Sequence, residues 1–195
     1  MKVRVLGAYG GSSPWHRQTS FLLDGTVALD AGALTQSLTL DEQSRVRSIL
    51  VTHSHLDHVA SLPFLVENVF GRTEGPIEIV GPRDVTTLLQ GHLFNDAIWP
   101  DFTRIPTHFL PAVTFRTVEE GTPFRVNGLH GLAVAVSHVV PTFGYLLWDD
   151  RACVVFSGDT GPTERLWEEA RRRHDLAAIF VECPFPDSMA EIAQV

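Results

Sequence analysis

Residues 47–64, RSILVTHSHLDHVASLPF, place three histidines and an aspartate within six positions, directly after a short aliphatic run. The run predicts a buried strand because its residues are aliphatic and β-branched. After the cluster, apolar residues recur at helical spacing: Val59, Leu62, Leu65, Val66 and Val69. This spacing predicts a helix with Pro63 in its first turns, where proline is tolerated. The cluster is therefore expected on a loop between a strand and a helix.

The cluster follows the pattern H-x-H-x-D-H, with His53, His55, Asp57 and His58 as candidate metal ligands. Imidazole and carboxylate groups are ligands that zinc accepts, and each binds in its deprotonated form. A loop that leaves a strand can direct His53 and His55 at one ion, while the turn into the helix directs Asp57 and His58 at a second. A surface loop with incidental histidines is the alternative, but this density at a strand end favours metal binding.

Two later residues occupy comparable positions at strand ends. His138 follows the alternating stretch LAVAVSH, and Asp159 follows ACVVFSGD beside Gly158 and Gly161. A carboxylate that bridges two ions needs the close backbone approach that glycine permits. A structural histidine and an ordinary turn aspartate are the alternatives for these residues taken singly. Together with the H-x-H-x-D-H cluster, both favour a metal centre.

Length, charge and hydropathy limit the classes of function. The chain has 195 residues and a formal net charge of −8, so we expect one domain over residues 1–195 and no extended grip on nucleic acid. No apolar run approaches the ~20 residues of a membrane span. The first residues enter a strand without the long apolar centre of a signal peptide. We therefore expect a cytoplasmic protein without a membrane partner.

The strand-rich halves and the H-S-H-L-D-H, His138 and S-G-D-T-G segments resemble the metallo-β-lactamase superfamily. The resemblance implies an α/β (α+β) fold, a metallo-β-lactamase-like αββα four-layer sandwich. It also implies that His53, His55 and His138 hold one zinc, that Asp57 and His58 hold the second, and that Asp159 bridges them. The family pattern has a seventh ligand, a later histidine, but no histidine follows His174 here. We therefore expect the chain to lack the C-terminal strand and helix; water or another group replacing that ligand is the alternative.

Within the superfamily, five segments resemble the class II cyclic-nucleotide phosphodiesterases: HSHLDHVAS, HLFNDAIWPDFTRIP, SHVVPTFGY, FSGDTGPTERLW and VECPFP. The resemblance implies hydrolysis of 3′,5′-cyclic AMP or GMP to the 5′-nucleotide by a metal-bridging hydroxide, with Asp57 and Asp159 as catalytic carboxylates. Two Zn²⁺ ions are expected, with Mn²⁺ or Fe²⁺ as other candidates. Phe94, Trp99 and Phe102, in the second of these segments, are the expected contacts to the base.

Two other functions stay open at this point. LGAYGGSSPWHRQTSFLL and DHVASLPFL also resemble tRNA 3′-processing endonucleases of the same superfamily, although the acidic balance disfavours RNA. A catalytically weak metal-binding or scaffold protein is the other alternative, and hydrolysis of a lactone is compatible with the same centre. The expected partner is a small nucleotide substrate. Nucleic acid is not expected as a partner, and a homodimer remains open beside a monomer.

Overall fold

The first half of the chain forms a mixed six-stranded sheet in the computed structural model, which describes residues 1–183, 185 and 187–189. Its strands, in spatial order, are β1 (Val3–Gly7), β2 (Ser20–Leu23), β3 (Val27–Leu29), β4 (Ser48–Leu50), β5 (Ile77–Gly81) and β8 (Val113–Thr117). β1, β2 and β3 are antiparallel neighbours, whereas β3, β4, β5 and β8 run parallel. The carboxyl ends of β3 and β4 therefore lie at the same edge.

The second half forms a five-stranded sheet. Its strands, in spatial order, are β13 (Leu176–Phe180), β12 (Cys153–Phe156), β11 (Thr142–Trp148), β10 (Leu129–Val136) and β9 (Phe124–Val126). β10 and β12 are both antiparallel to β11, so their carboxyl ends point the same way. A separate two-stranded hairpin joins β6 (Pro106–Thr107) to β7 (Leu110–Pro111).

Helices cover the outer face of each sheet. The first half contains α1 (Leu34–Ser37), α2 (Leu40–Gln43), α3 (Leu56–Val59), α4 (Leu62–Val69) and α5 (Arg83–His92). The second half contains α6 (Arg165–Arg171) and a 3₁₀ turn at Asp187–Met189. α5 packs on β5 and β8, and α6 packs on β10. The result is the expected αββα order of layers.

Alternation along β11 and β12 shows how the sheets share one core. Tyr145 and Phe156 point into the main core, which also contains Leu29 and Ile49 of the first sheet. Leu146 and Val155 point the other way, into a second apolar cluster with Leu166 of α6. This period of two is what a strand buried on both faces requires. The inter-sheet layer thus consists of aliphatic and aromatic side chains from both halves of the chain.

Two sequence expectations need correction. The single helix expected after the metal motif is two helices, α3 and α4, because Pro63 lies at the start of α4 and cannot donate a backbone hydrogen bond there. Residues 95–123 are rich in proline and weakly periodic, which predicts a long excursion over one face with one strand, but they contain β6, β7 and β8.

The sequence predicts one domain that lacks its C-terminal strand and helix. Residues 184, 186 and 190–195, at the end of the chain, lie outside the described residues, so this stays a prediction. No helix among the described residues is long and apolar enough to cross a membrane.

Candidate metal centre

The H-x-H-x-D-H segment begins three residues after β4 and turns directly into α3. His53 and His58 are buried, with 0% and 1% of their surfaces exposed, whereas His55 and Asp57 are partly exposed. The turn is tied to the first sheet because Ala31 N donates to His58 O at 2.6 Å and Ser61 N donates to Ala31 O at 2.7 Å. These bonds fix the segment at the carboxyl ends of β3 and β4.

Two groups of ligand atoms meet at this edge and share His53. One group is His53, His55 and His138, and the other is His53, His58 and Asp159; within each, the ligand atoms lie within 4.8 Å of one another. His138 Nε2 lies 3.2 Å from His55 Nδ1. Asp57 Oδ2 lies 3.6 Å from His58 Nε2. The structure thus brings all six sequence-predicted ligands to one place.

Asp159 reaches the centre from the end of β12. Its Oδ1 lies 3.1 Å from His58 Nε2 and its Oδ2 lies 3.8 Å from His53 Nε2. The preceding Gly158 has φ +63, a left-handed conformation that residues with a Cβ rarely adopt. A Cβ at Gly158 would also approach Phe143 O to 3.2 Å. Glycine at this position therefore allows the chain to turn Asp159 towards the histidines.

Asp30 and Thr52, which the sequence analysis did not select, orient the two buried histidines. Asp30 Oδ2 accepts a hydrogen bond from His58 Nδ1 at 2.7 Å, and Asp30 Oδ1 accepts one from Thr52 N at 2.8 Å. The Thr52 hydroxyl lies 2.9 Å from Asp30 Oδ2 and 3.0 Å from His53 Nδ1. Because a carboxylate only accepts, the hydroxyl donates to Asp30 and accepts from His53. Both rings therefore direct Nε2 towards the centre, an arrangement common for metal-binding histidines.

A sequence signal for Asp30 exists in hindsight. The segment VALDAG places Asp30 directly after β3, at the same edge as the histidines that follow β4. Its φ of +54 is a conformation in which aspartate is enriched. The signal was missed because an aspartate after a strand is also an ordinary turn residue.

The chemistry of the buried nitrogens fits a divalent metal. Nε2 of His53 and Nε2 of His58 are buried and make no hydrogen bond to the part of the chain that the structure describes, although the latter lies 3.1 Å from Asp159 Oδ1. An unpaired buried polar atom costs about 1–3 kcal/mol, so two such atoms facing one point need a common partner. A metal ion coordinated by both would satisfy them.

Burial and neighbouring charges set the protonation of the two rings. The pKa of His53 is lowered to about 2, mainly by burial and next by the charge of His58. Burial also lowers the pKa of His58, but Asp30 and Asp159 outweigh it and raise that pKa to about 10. His53 is therefore neutral and ready to bind a metal, whereas an ion that binds His58 has to displace a proton.

A cavity of about 800 Å³ opens beside this cluster. Asp57, His58, His138 and Asp159 line it together with the apolar side chains of Val5, Phe21, Phe156 and Phe180. Glu182 also lines it and accepts from Thr160 N at 3.1 Å. Burial raises the pKa of Glu182, and Asp159 and Asp57 add to the rise. The cavity thus combines a metal-ligand cluster with apolar side chains.

The aromatic residues expected to contact a base do not line this cavity. Phe94 and Phe102 are core residues with 2% and 4% of their surfaces exposed. Trp99 is half-buried and packs edge-on against Phe64 at 5.2 Å between ring centroids. These side chains fill the core beneath the excursion, so the structure does not bring them to the metal ligands.

Comparison with protein families identifies the family to which this fold belongs. A family model described as β-lactamase superfamily domain matches residues 20–192, a range that includes all six ligands. The chain belongs to this family. The superfamily consists of metal-dependent hydrolases, including nucleases and phosphodiesterases, which agrees with the histidine and aspartate cluster described above.

Relatives of this superfamily domain point to two kinds of activity. Ribonuclease BN of Proteus mirabilis is 28% identical in an alignment of 177 residues that covers 85% of this chain and 55% of that protein. The 3′,5′-cyclic-nucleotide phosphodiesterase 1 of Saccharomyces cerevisiae is 26% identical in an alignment of 178 residues that covers 79% of this chain and 48% of that protein. The chain therefore spans about half the length of each relative.

A solved structure matches the same fold over nearly the whole chain. The short form of human tRNase Z superposes with a TM-score of 0.71 and 20% identity, and the match covers 98% of this chain and 81% of that one. At this identity the likeness concerns the fold of the superfamily domain and not its substrate.

Proposed function

We propose that this superfamily domain is a zinc-dependent phosphodiesterase that hydrolyses 3′,5′-cyclic AMP or GMP to the 5′-nucleotide. One observation carries the proposal: the ligand cluster and apolar side chains line one cavity of about 800 Å³. This volume lies within the roughly 300–1,000 Å³ of pockets that bind small molecules. A cyclic nucleotide offers such a cavity a phosphate for the ligand cluster and a base for the apolar side chains.

The six ligands suit two ions. His53, His55 and His138 would hold one, and Asp57 and His58 would hold the second with Asp159 between them. Zinc is the proposed metal because the donors are imidazole and carboxylate groups, which also accept Mn²⁺ or Fe²⁺. When bound, two such ions supply Lewis-acid activation of the phosphate and of the attacking water.

The protein's own residues position and neutralise the reacting groups. Asp30 and Thr52 hold the His58 and His53 rings so that their Nε2 atoms face the centre. An oxygen of water forms the new bond to phosphorus, the bond from phosphorus to O3′ breaks, and the proton that the water loses passes to O3′. Asp57 and Asp159 are the proposed catalytic carboxylates, and Asp57, which lines the cavity and is partly exposed, is the proposed relay that takes this proton from the water and gives it to O3′.

Processing of the 3′ end of tRNA is the second candidate. The match to Ribonuclease BN favours it, since it covers 85% of this chain. The net charge of −8 disfavours it, because RNA binding relies on cationic side chains that neutralise phosphates. A small nucleotide places no such demand on the surface.

The test compares two classes of substrate, cyclic nucleotides and a precursor tRNA, and two histidine variants. The purified protein, loaded in turn with zinc and manganese, is incubated with cyclic AMP, cyclic GMP or a precursor tRNA, and products are separated by chromatography. We expect release of 5′-nucleotide, its loss after chelation, and a rate at least about 100-fold lower for His138→Ala, since that change removes a ligand. His108→Ala, at an exposed histidine outside the site, is the matched control. Cleavage of tRNA without hydrolysis of cyclic nucleotides would establish the second candidate instead.

A further inference from the structure

Trp15 is the most exposed of the large apolar side chains, with 89% of its surface accessible. Tryptophan is highly buried on average, so a ring held in solvent needs an explanation. Exposed indoles are a recurrent feature of binding surfaces, because one rigid ring offers a large contact area. The Trp15 loop is defined here as residues 8–18, between β1 and β2.

The Trp15 loop is ordered by its own hydrogen bonds. Ala8 N and Tyr9 N both donate to Arg17 O at 3.1 Å, which closes the base of the loop. Nearer the tip, Ser13 N donates to His16 O at 3.0 Å and Ser13 Oγ lies 2.9 Å from His16 Nδ1. Trp15 lies within this bonded turn. Its exposure is therefore a defined placement of the ring.

The base of the Trp15 loop forms part of the cavity at the metal centre. Ala8 and Gly10 line the cavity together with Asp57. A Cβ added at Gly10 would lie 3.4 Å from Asp57 Oδ2, so the loop backbone passes close to a proposed ligand. Five extended residues span at most about 18 Å, so the backbone of Trp15 lies within about this distance of Gly10 in the cavity lining.

Two further exposed apolar side chains adjoin the ligands. Leu56, between His55 and Asp57, is 71% exposed, and Val139, directly after His138, is 61% exposed. Their neighbours His55 and His138 are in contact, so both apolar side chains belong to the same edge of the centre. Exposed apolar side chains from two separate segments at this edge mark an interaction site better than either one alone.

We propose that the Trp15 loop is a clamp whose indole stacks on the base of the nucleotide held at the metal centre. The proposal rests on the proposed function and names the group that recognises the substrate. Stacking on an aromatic ring tolerates every base, because each base has a π face. The clamp therefore accepts adenine and guanine alike and leaves the phosphate to the metal ligands.

Calorimetric titration of the zinc-loaded protein tests the clamp separately from catalysis. The probes are adenosine 5′-monophosphate and ribose 5-phosphate, which keeps the sugar and phosphate but lacks the base. Trp15→Ala should weaken binding of the nucleotide roughly 5- to 150-fold, the range measured when a stacking ring is removed, and leave binding of ribose 5-phosphate unchanged. Trp15→Phe should restore most of the affinity. Phe109→Ala, at an 82% exposed ring between β6 and β7, is the matched control.

The outcomes separate the clamp from the proposed function. If the wild-type protein binds the nucleotide and Trp15→Ala binds it equally well, the clamp is wrong and the proposed function is untouched. An equal loss for both probes also overturns the clamp, because it indicates a structural effect of the substitution. Absence of binding of either probe by the wild-type protein overturns the proposed function together with the clamp. In hydrolysis of cyclic AMP, the clamp predicts a rise in KM with little change in kcat.

Discussion

The substitution Asp30→Asn tests whether the hydrogen bond from His58 to Asp30 leaves His58 Nε2 available to a metal. Asp30→Asn preserves the size of the side chain, and asparagine tolerates the positive φ of this position. If the amide oxygen keeps the bond from Thr52 N, the amide nitrogen faces His58 Nδ1 and can only donate. Nδ1 must then accept, and the ring proton moves to Nε2. A flipped amide instead places its NH₂ group against Thr52 N–H, so only the first orientation satisfies both partners, and it does so by moving the ring proton to Nε2.

The expected effect falls on one ion. A protonated Nε2 cannot coordinate, and loss of a partner that orients a ligand typically weakens metal binding about 10–100-fold. This corresponds to about 1.4–2.7 kcal/mol. The group of His53, His55 and His138 does not include His58, so its ion should bind as in the wild-type protein.

Competition with a chromophoric zinc chelator measures both affinities, and circular dichroism checks that the variant is folded. Asp175→Asn is the matched control, because Asp175 pairs with Arg173 at the surface, away from the cavity lining. The reasoning about the ring proton is refuted if Asp30→Asn binds both ions with wild-type affinity, or if the two ions weaken to the same extent.

Two other substitutions test the scaffold. Hydrogen bonds from Arg4 and from Thr39 N lower the pKa of Glu42 to about 2, so Glu42 stabilises the fold above its ordinary pKa of 4.5 and loses this contribution as the pH falls towards 2. Glu42→Gln should therefore flatten the pH dependence of the free energy of unfolding, measured with urea between pH 4.5 and 2. Because the ion pair is exposed, the substitution should cost no more than about 1 kcal/mol at pH 7. An unchanged pH profile contradicts this. Tyr145→Phe removes the buried hydroxyl that donates to Val51 O at 3.0 Å. Loss of this bond should lower the free energy of unfolding, measured at equilibrium, by about 1–3 kcal/mol. Tyr9→Phe, at an exposed ring, should not change it measurably.

The sequence selected the candidate metal ligands more completely than the residues that surround them. The H-x-H-x-D-H spacing at the end of a predicted strand selected His53, His55, Asp57 and His58, and the structure places these four side chains together; that they bind metal stays a prediction. Local reasoning of this kind fails for Asp30. Its role depends on the parallel pairing of β3 with β4, which no short segment encodes.

The base contacts expected from the aromatic residues Phe94 and Phe102 illustrate the same limit of local sequence, because the structure buries both rings in the core. Phe94 and Phe102 lie in a stretch without clear periodicity, where sequence does not distinguish a lid over a substrate from a cover over the core. The structure shows that β5 and β8 pair and that the excursion between them packs its rings inwards, with Phe94 against Phe115 at 6.1 Å. Trp15, by contrast, lies in a Gly- and Ser-rich turn, and the structure leaves its ring exposed.

The position of the centre follows from strand direction in both sheets. Asp30 and His53 follow the parallel strands β3 and β4, whereas His138 and Asp159 follow β10 and β12, which run the same way on either side of β11. Four strand ends thus meet at one edge, and ligands from both sheets surround the same point. A metal ion bound there joins the two sheets, so its binding free energy also opposes their separation. Because ligand binding stabilises only the state that holds the ligands together, metal binding and folding of this domain would depend on the same contacts.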